Sequence, residues 1–166
     1  MDELLLNIVE SWTRQTQIIE SLAGLVTEET RKALPSPDGM PLDKQLAHIQ
    51  LVRCEWLRTI DPEVAKDLSN GYYKEGDTWL PIQDLDFIKA ELKKSAEVIG
   101  VVFEKGVREG KTQFGPYTHP VMFLQHMVWH EGYHAGLILL GLRLAGFDPT
   151  DEWNEKHIWE LWRGPE

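Results

Sequence analysis

The sequence predicts an all-α protein, and three observations carry that expectation. Apolar residues recur at three- and four-residue steps through four long stretches; clusters of Pro, Gly and Asp separate those stretches; and no segment shows the alternation of a half-buried strand. Four such helices in 166 residues fit one domain over 1–166. The expected architecture is a four-helix bundle with a long connection between helices 2 and 3 and a short C-terminal helix.

The first helix is expected from about Glu3 to Leu25, with Leu5, Ile8, Val9, Trp12, Ile19, Leu22 and Val26 on its apolar side. The breaker cluster Leu34-Pro35-Ser36-Pro37-Asp38-Gly39 is read as its stop. A second helix opens at Pro41, carries Leu42, Leu46, Ile49, Val52, Trp56 and Leu57, and closes at Asp61-Pro62. Residues 62–81 show no period and read as a long connection with one helical turn at Glu63 to Leu68; connections of that length in a small domain serve function or bridge distant elements. Asp84 can cap a third helix that runs to Arg108. The fourth starts near Thr118, with Pro120 in its first turn, and ends before Gly146. Glu152 to Leu161 form the short final helix.

Charge limits the partners. With 17 basic and 27 acidic residues the net charge is -10, which leaves no basic face for nucleic acid or an anionic membrane. The lone Cys54 rules out an intrachain disulfide. Met1-Asp2-Glu3 lacks the basic start of a secretory signal, and no apolar run approaches the ~20 residues of a membrane span, so the expected location is the cytoplasm.

The chemistry lies in the histidines. His126, His130 and His134 recur every four residues on the fourth helix, within roughly 80° of arc at 100° per residue. The helix is otherwise apolar, so the stripe faces an interior or a cleft. Imidazoles at i and i+4 form the helical half of a zinc-type site, and a third ligand must come from another helix. His48 on the second helix is the candidate, giving a metal set of His48, His130 and His134. Glu55, seven residues on, nearly eclipses His48 and can orient a ligand or accept a proton; Gln45 lies one turn back. His126 lines the site or serves as a base, while His119 and His157 read as ordinary hydrogen-bonded residues.

One competing reading uses the same letters. His130-Glu131-Gly132-Tyr133-His134 matches H-E-x-x-H, with Glu131 as general base and Glu155 as a third ligand of a zinc protease. Against it, the longer metzincin pattern needs Gly and His where Leu137 and Leu140 stand, and no strands precede the motif.

A wider pattern fits better. His48 with Ile49-Gln50-Leu51-Val52 and Trp56, then residues 126–136, then Leu142-Arg143-Leu144-Ala145-Gly146-Phe147-Asp148-Pro149, resembles the DinB/YfiT-like superfamily over nearly the whole chain. That resemblance implies an up-down-down-up four-helix bundle, usually homodimeric, with a zinc or nickel ion on His48, His130 and His134. It also implies a small-molecule substrate and, in the characterised branches, thiol S-transferases using bacillithiol, mycothiol or glutathione as cosubstrate. The chain departs from the family after the last histidine: Ala135-Gly136-Leu137 replaces Arg-Gly-Gln, so an apolar residue stands where a polar one is common.

Three neutral ligands leave a coordination position open, which suits catalysis. An open site activates water or a thiol, giving hydrolysis or S-transfer, and the ligands alone do not choose. A metal-binding bundle without catalysis, serving as sensor or interaction module, is the third reading. Trp12, Trp56 and Trp129 sit in apolar stripes and read as core; Trp153, Trp159 and Trp162 read as a pocket cover, a dimer contact or packing on the bundle end. Cys54, about 240° round the helix from His48, reads as core filler.

Overall fold

The computed structural model describes residues 2–163. Its chain is mostly helical. Helix α1 (Asp2–Leu25) is followed by α2 (Leu42–Ile60) and the single turn α3 (Pro62–Ala65). A hairpin of β1 (Tyr72–Glu75) and β2 (Thr78–Pro81) leads into α4 (Leu85–Arg108), and then α5 (Pro120–Leu144). The tail comprises α6 (Asp151–Asn154), a π-helical turn (Glu155–Trp159) and α7 (Glu160–Arg163).

The helix ends follow local chemistry. Asp84 Oδ1 accepts the Phe87 N–H at 3.0 Å and starts α4, and His119 Nδ1 accepts the Val121 N–H at 3.1 Å and starts α5. Helix α1 stops well before the proline cluster expected to end it. There Thr30 Oγ1 donates to the Leu25 carbonyl at 2.7 Å and accepts the Thr27 N–H at 2.9 Å, so a hydroxyl supplies the bonds a further turn would have made.

The hairpin corrects the expectation of a chain without strands. Its strands have four residues each, paired Tyr72↔Pro81 through Glu75↔Thr78, and are largely exposed, so no buried alternation marks them in the sequence. The loop is Gly76-Asp77, and Gly76 takes φ 59°, a conformation open to glycine at the first loop position of a tight hairpin.

The long helices α1 and α2 each pack on both α4 and α5. Ile19, Leu22, Leu46, Ile49, Leu92, Ile138 and Leu142 fill one half of the core, and Trp12, Leu57, Ile99, Phe103, Phe123 and Met127 the other. Gly141 permits the close approach of α5 to the start of α2: a Cβ there would lie 2.7 Å from Leu42 Cδ2. Arg53 sits where the two halves meet. Its Nε donates to Glu131 Oε1 at 2.6 Å and its Nη1 to the Leu92 carbonyl at 2.6 Å, and its guanidinium lies 5.4 Å from the centroid of the Trp12 ring. Trp12 in turn donates its indole N–H to the Ala96 carbonyl at 2.9 Å.

In the tail, Ile158 is buried and Trp153 packs against the core, stacked on His157 at 4.7 Å. Trp159 and Trp162 stay exposed, and Arg14 donates to the Trp162 carbonyl at 3.0 Å. The segment therefore lies against α1, and of its three tryptophans Trp153 alone takes the packing role.

The Arg53–Glu131 pair is fully buried, so loss of one partner strands the other's charge. Arg53→Met or Glu131→Leu alone should cost about 3–5 kcal/mol in urea unfolding, while the double substitution should recover most of that loss.

Candidate metal centre

Helix α2 brings His48 to the pair that the i, i+4 spacing of α5 sets side by side. The ring centroids stand 5.3 Å apart for His48 and His130, 5.0 Å for His48 and His134, and 4.5 Å for His130 and His134. One nitrogen from each ring lies within 4.8 Å of the others, an arrangement that could hold a metal ion. His134 is buried; His48 and His130 are half-buried, so the cluster opens on solvent at one side.

Protonation favours the ligand form. Burial, then the neighbouring His48, His126 and Arg53, pulls the His130 pKa down to about 4. Burial, with His130 and His48, pulls that of His134 to about 4 as well, and burial lowers His48. Imidazoles held neutral at pH 7 carry the lone pairs a metal needs.

Gln45 sets the tautomer at His134. Its Nε2 donates to the Met40 carbonyl at 3.0 Å, which turns Oε1 toward His134 Nδ1. An amide oxygen only accepts, so Nδ1 carries the proton and Nε2 presents the lone pair. The donor set and its support therefore fit a divalent ion. His126 is bound differently: its Nδ1 lies 2.7 Å from Tyr117 Oη, and burial pushes the Tyr117 phenol up to about 12. His126 stands beside the triad, 6.4 Å from His130 between ring centroids.

The other expected residues lie elsewhere. Glu55 accepts from Arg58 Nη1 at 2.5 Å and lines a neighbouring cleft with Leu51, Asn70, Tyr72 and Trp79. Seven residues return almost the same direction on a helix but climb roughly 10 Å, a height that helical phase alone conceals. Glu131 is turned into the core against Arg53, and Glu155 is paired with Arg163, so neither plays the part a zinc protease would require. Trp129 is a correction as well: it is 71% exposed, not core. Cys54 is buried as expected, and burial pushes its thiol up to about 12.

Sequence reasoning missed Arg53 and Tyr117 and gave Gln45 no role. A signal existed for one pair: Arg53 and Glu131 are opposite charges set on apolar helix faces, which is where only a partner makes burial tolerable.

The fold and the site together define a mostly helical protein whose long helices bring three histidines to one partly open position. The DinB family model matches residues 1–158, and the chain belongs to the DinB family. No curated protein and no solved structure matches it.

Long-range ¹H–¹⁵N spectra of the histidine rings should show His134 as the Nδ1–H tautomer in the metal-free protein. Gln45→Leu should convert it to a mixture without altering the helical signal. An Nε2–H tautomer in the unaltered protein would contradict the assignment.

Proposed function

We propose that this protein is a metal-dependent thiol S-transferase. It holds one divalent ion, of the zinc or nickel type, through His48, His130 and His134, with His134 ligating through Nε2. The observation that carries this reading is the convergence of three neutral imidazoles at a position open on one side. DinB family membership supports it further. When bound, the ion acts as a Lewis acid that favours the ionised form of a coordinated thiol or water.

The chain's own residues do the rest. Gln45 holds the His134 ring in its ligating tautomer, and Arg53 with Glu131 fixes α2 against α5 so that His48 meets the other two rings. His126, held by Tyr117, stands beside the site within reach of a bound substrate. The substrate is a small electrophile, and the cosubstrate a low-molecular-weight thiol of the bacillithiol, mycothiol or glutathione kind. The sulfur bonds to the electrophilic carbon, the thiol proton is released, and the leaving group departs with its bonding electrons. We place the long helices in the up-down-down-up bundle order and the protein in the cytoplasm.

We also propose a homodimer through α5. Met122, Trp129, Tyr133, Leu140 and Leu144 form an exposed stripe along it, and its one carboxylate, Glu131, is buried. On a chain of net charge -10, a face free of carboxylates is where two copies can meet without repulsion.

Purified protein should carry about one equivalent of zinc or nickel, lost in His48→Ala, and should consume a thiol with a small alkylating electrophile only when metal is present. Retention of metal by His48→Ala would refute the ligand set. Metal-dependent ester hydrolysis without thiol consumption would identify a hydrolase, and metal without either activity a sensor or interaction module. In light scattering, Trp129→Glu should halve the molecular mass; an unchanged mass would remove α5 from the interface.

A further inference from the structure

The cleft beside the histidines is built like a binding site of its own. Leu51 and Glu55 of α2, Asn70, and a hairpin wall of Tyr72 and Trp79 line it, around a volume of about 420 Å³. That volume lies in the range of small-molecule sites. Leu51 is three residues from His48 on α2, which is about 4.5 Å along the axis and on the same side. The cleft therefore begins one turn from the metal centre.

The hairpin register explains the wall. Tyr72 is opposite Pro81 and Lys74 opposite Trp79, so Tyr72 and Trp79 are diagonal neighbours on one face. Diagonal pairs stand roughly 7–8 Å apart, within reach of large side chains, so both rings can present apolar surface to the one cleft they line. Among the described residues, neither ring contacts another aromatic ring, and Trp79 is 59% exposed. An exposed indole on a short hairpin adds little to the core; facing a cleft, it offers a stacking surface.

The polar groups restrict what can enter. The Asn70 side-chain oxygen is taken by the Tyr72 N–H at 3.0 Å, which leaves its amide nitrogen as the donor end. Glu55 brings the one carboxylate of the lining, paired there with Arg58, on a chain of net charge -10. An anionic group would meet the unfavourable potential of that net charge.

We propose that this cleft binds an uncharged planar aromatic group of the substrate, with Trp79 and Tyr72 as its specificity-determining residues. The rest of the substrate extends along α2 past Leu51 to His48. The inference deepens the transferase reading and rests on it only for the reacting end; the aromatic subsite exists whether or not a metal is bound.

The test uses the full chain, freed of metal, with 2-naphthalenemethanol as the neutral probe and 2-naphthoate as its anionic counterpart. Binding is measured by calorimetry and by the indole N–H resonance of Trp79, assigned from its loss in Trp79→Ala. The alcohol should shift that resonance and bind at one site, at least tenfold more tightly than the carboxylate. Trp79→Ala should weaken the alcohol at least tenfold, and Tyr72→Leu, which keeps an apolar side chain against the core, should also weaken it. Glu55→Gln should narrow the gap between the two probes. Equal binding by Trp79→Ala, or no shift of the Trp79 resonance, overturns the proposal; equal affinity for both probes overturns its charge selectivity. His48→Ala should bind the alcohol normally, so failure of the metal reading and failure of this one give different results.

Discussion

The structure depends on one buried guanidinium. Arg53 leaves α2 and reaches Glu131 on α5, the Leu92 carbonyl on α4 and the Trp12 ring on α1, so all four long helices meet at it. A charge in that position is tolerable only beside its carboxylate: Glu131 Oε1 and the Leu92 carbonyl take two of its hydrogens in fixed directions, while Arg53 Nη2 and Glu131 Oε2 find no partner among the described residues. Apolar contacts between helices allow small slides along the axis. A bidirectional demand of this kind does not, because a slide of one residue would part the charges.

That registry is what the histidines require. His48 precedes Arg53 by five residues on α2, and Glu131 lies between His130 and His134 on α5. The bond that locks the two helices is thus about one turn from the rings that must converge. The same arrangement accounts for electrostatics at the site. Arg53 contributes to holding His130 neutral, while Glu131 offsets its charge within the core. The letters of a protease motif are present, but the middle glutamate is used for architecture, which only the third dimension reveals.

The helices were legible in the sequence because apolar periodicity sustained over five or more turns marks a helix packed along one side. The convergence of His48 with His130 and His134 was legible for a similar reason: i, i+4 spacing is geometry, and only one further histidine lay on a facing apolar stripe. The hairpin was not legible, since strands of four residues exposed on most of their faces carry no period. Glu55 was misplaced because a heptad preserves direction and loses height. Trp129 was misplaced because α5 is apolar on nearly every side, so its sequence cannot say which side is turned outward. Gln45 was seen as a neighbour of His48, but its partner Met40 belongs to the loop before the helix, and loop carbonyls leave no mark in composition.

The use of an amide at His134 has a chemical consequence. A carboxylate in that place would pull on the ring proton and make the imidazole a more generous electron donor. It would also place a negative charge a few ångströms from the coordination position. Gln45 fixes the ring without doing either, and because it does not titrate, the orientation it imposes is the same in acid as in base. The pocket is thereby steered without being buffered: an ion held there would keep its full appetite for electrons.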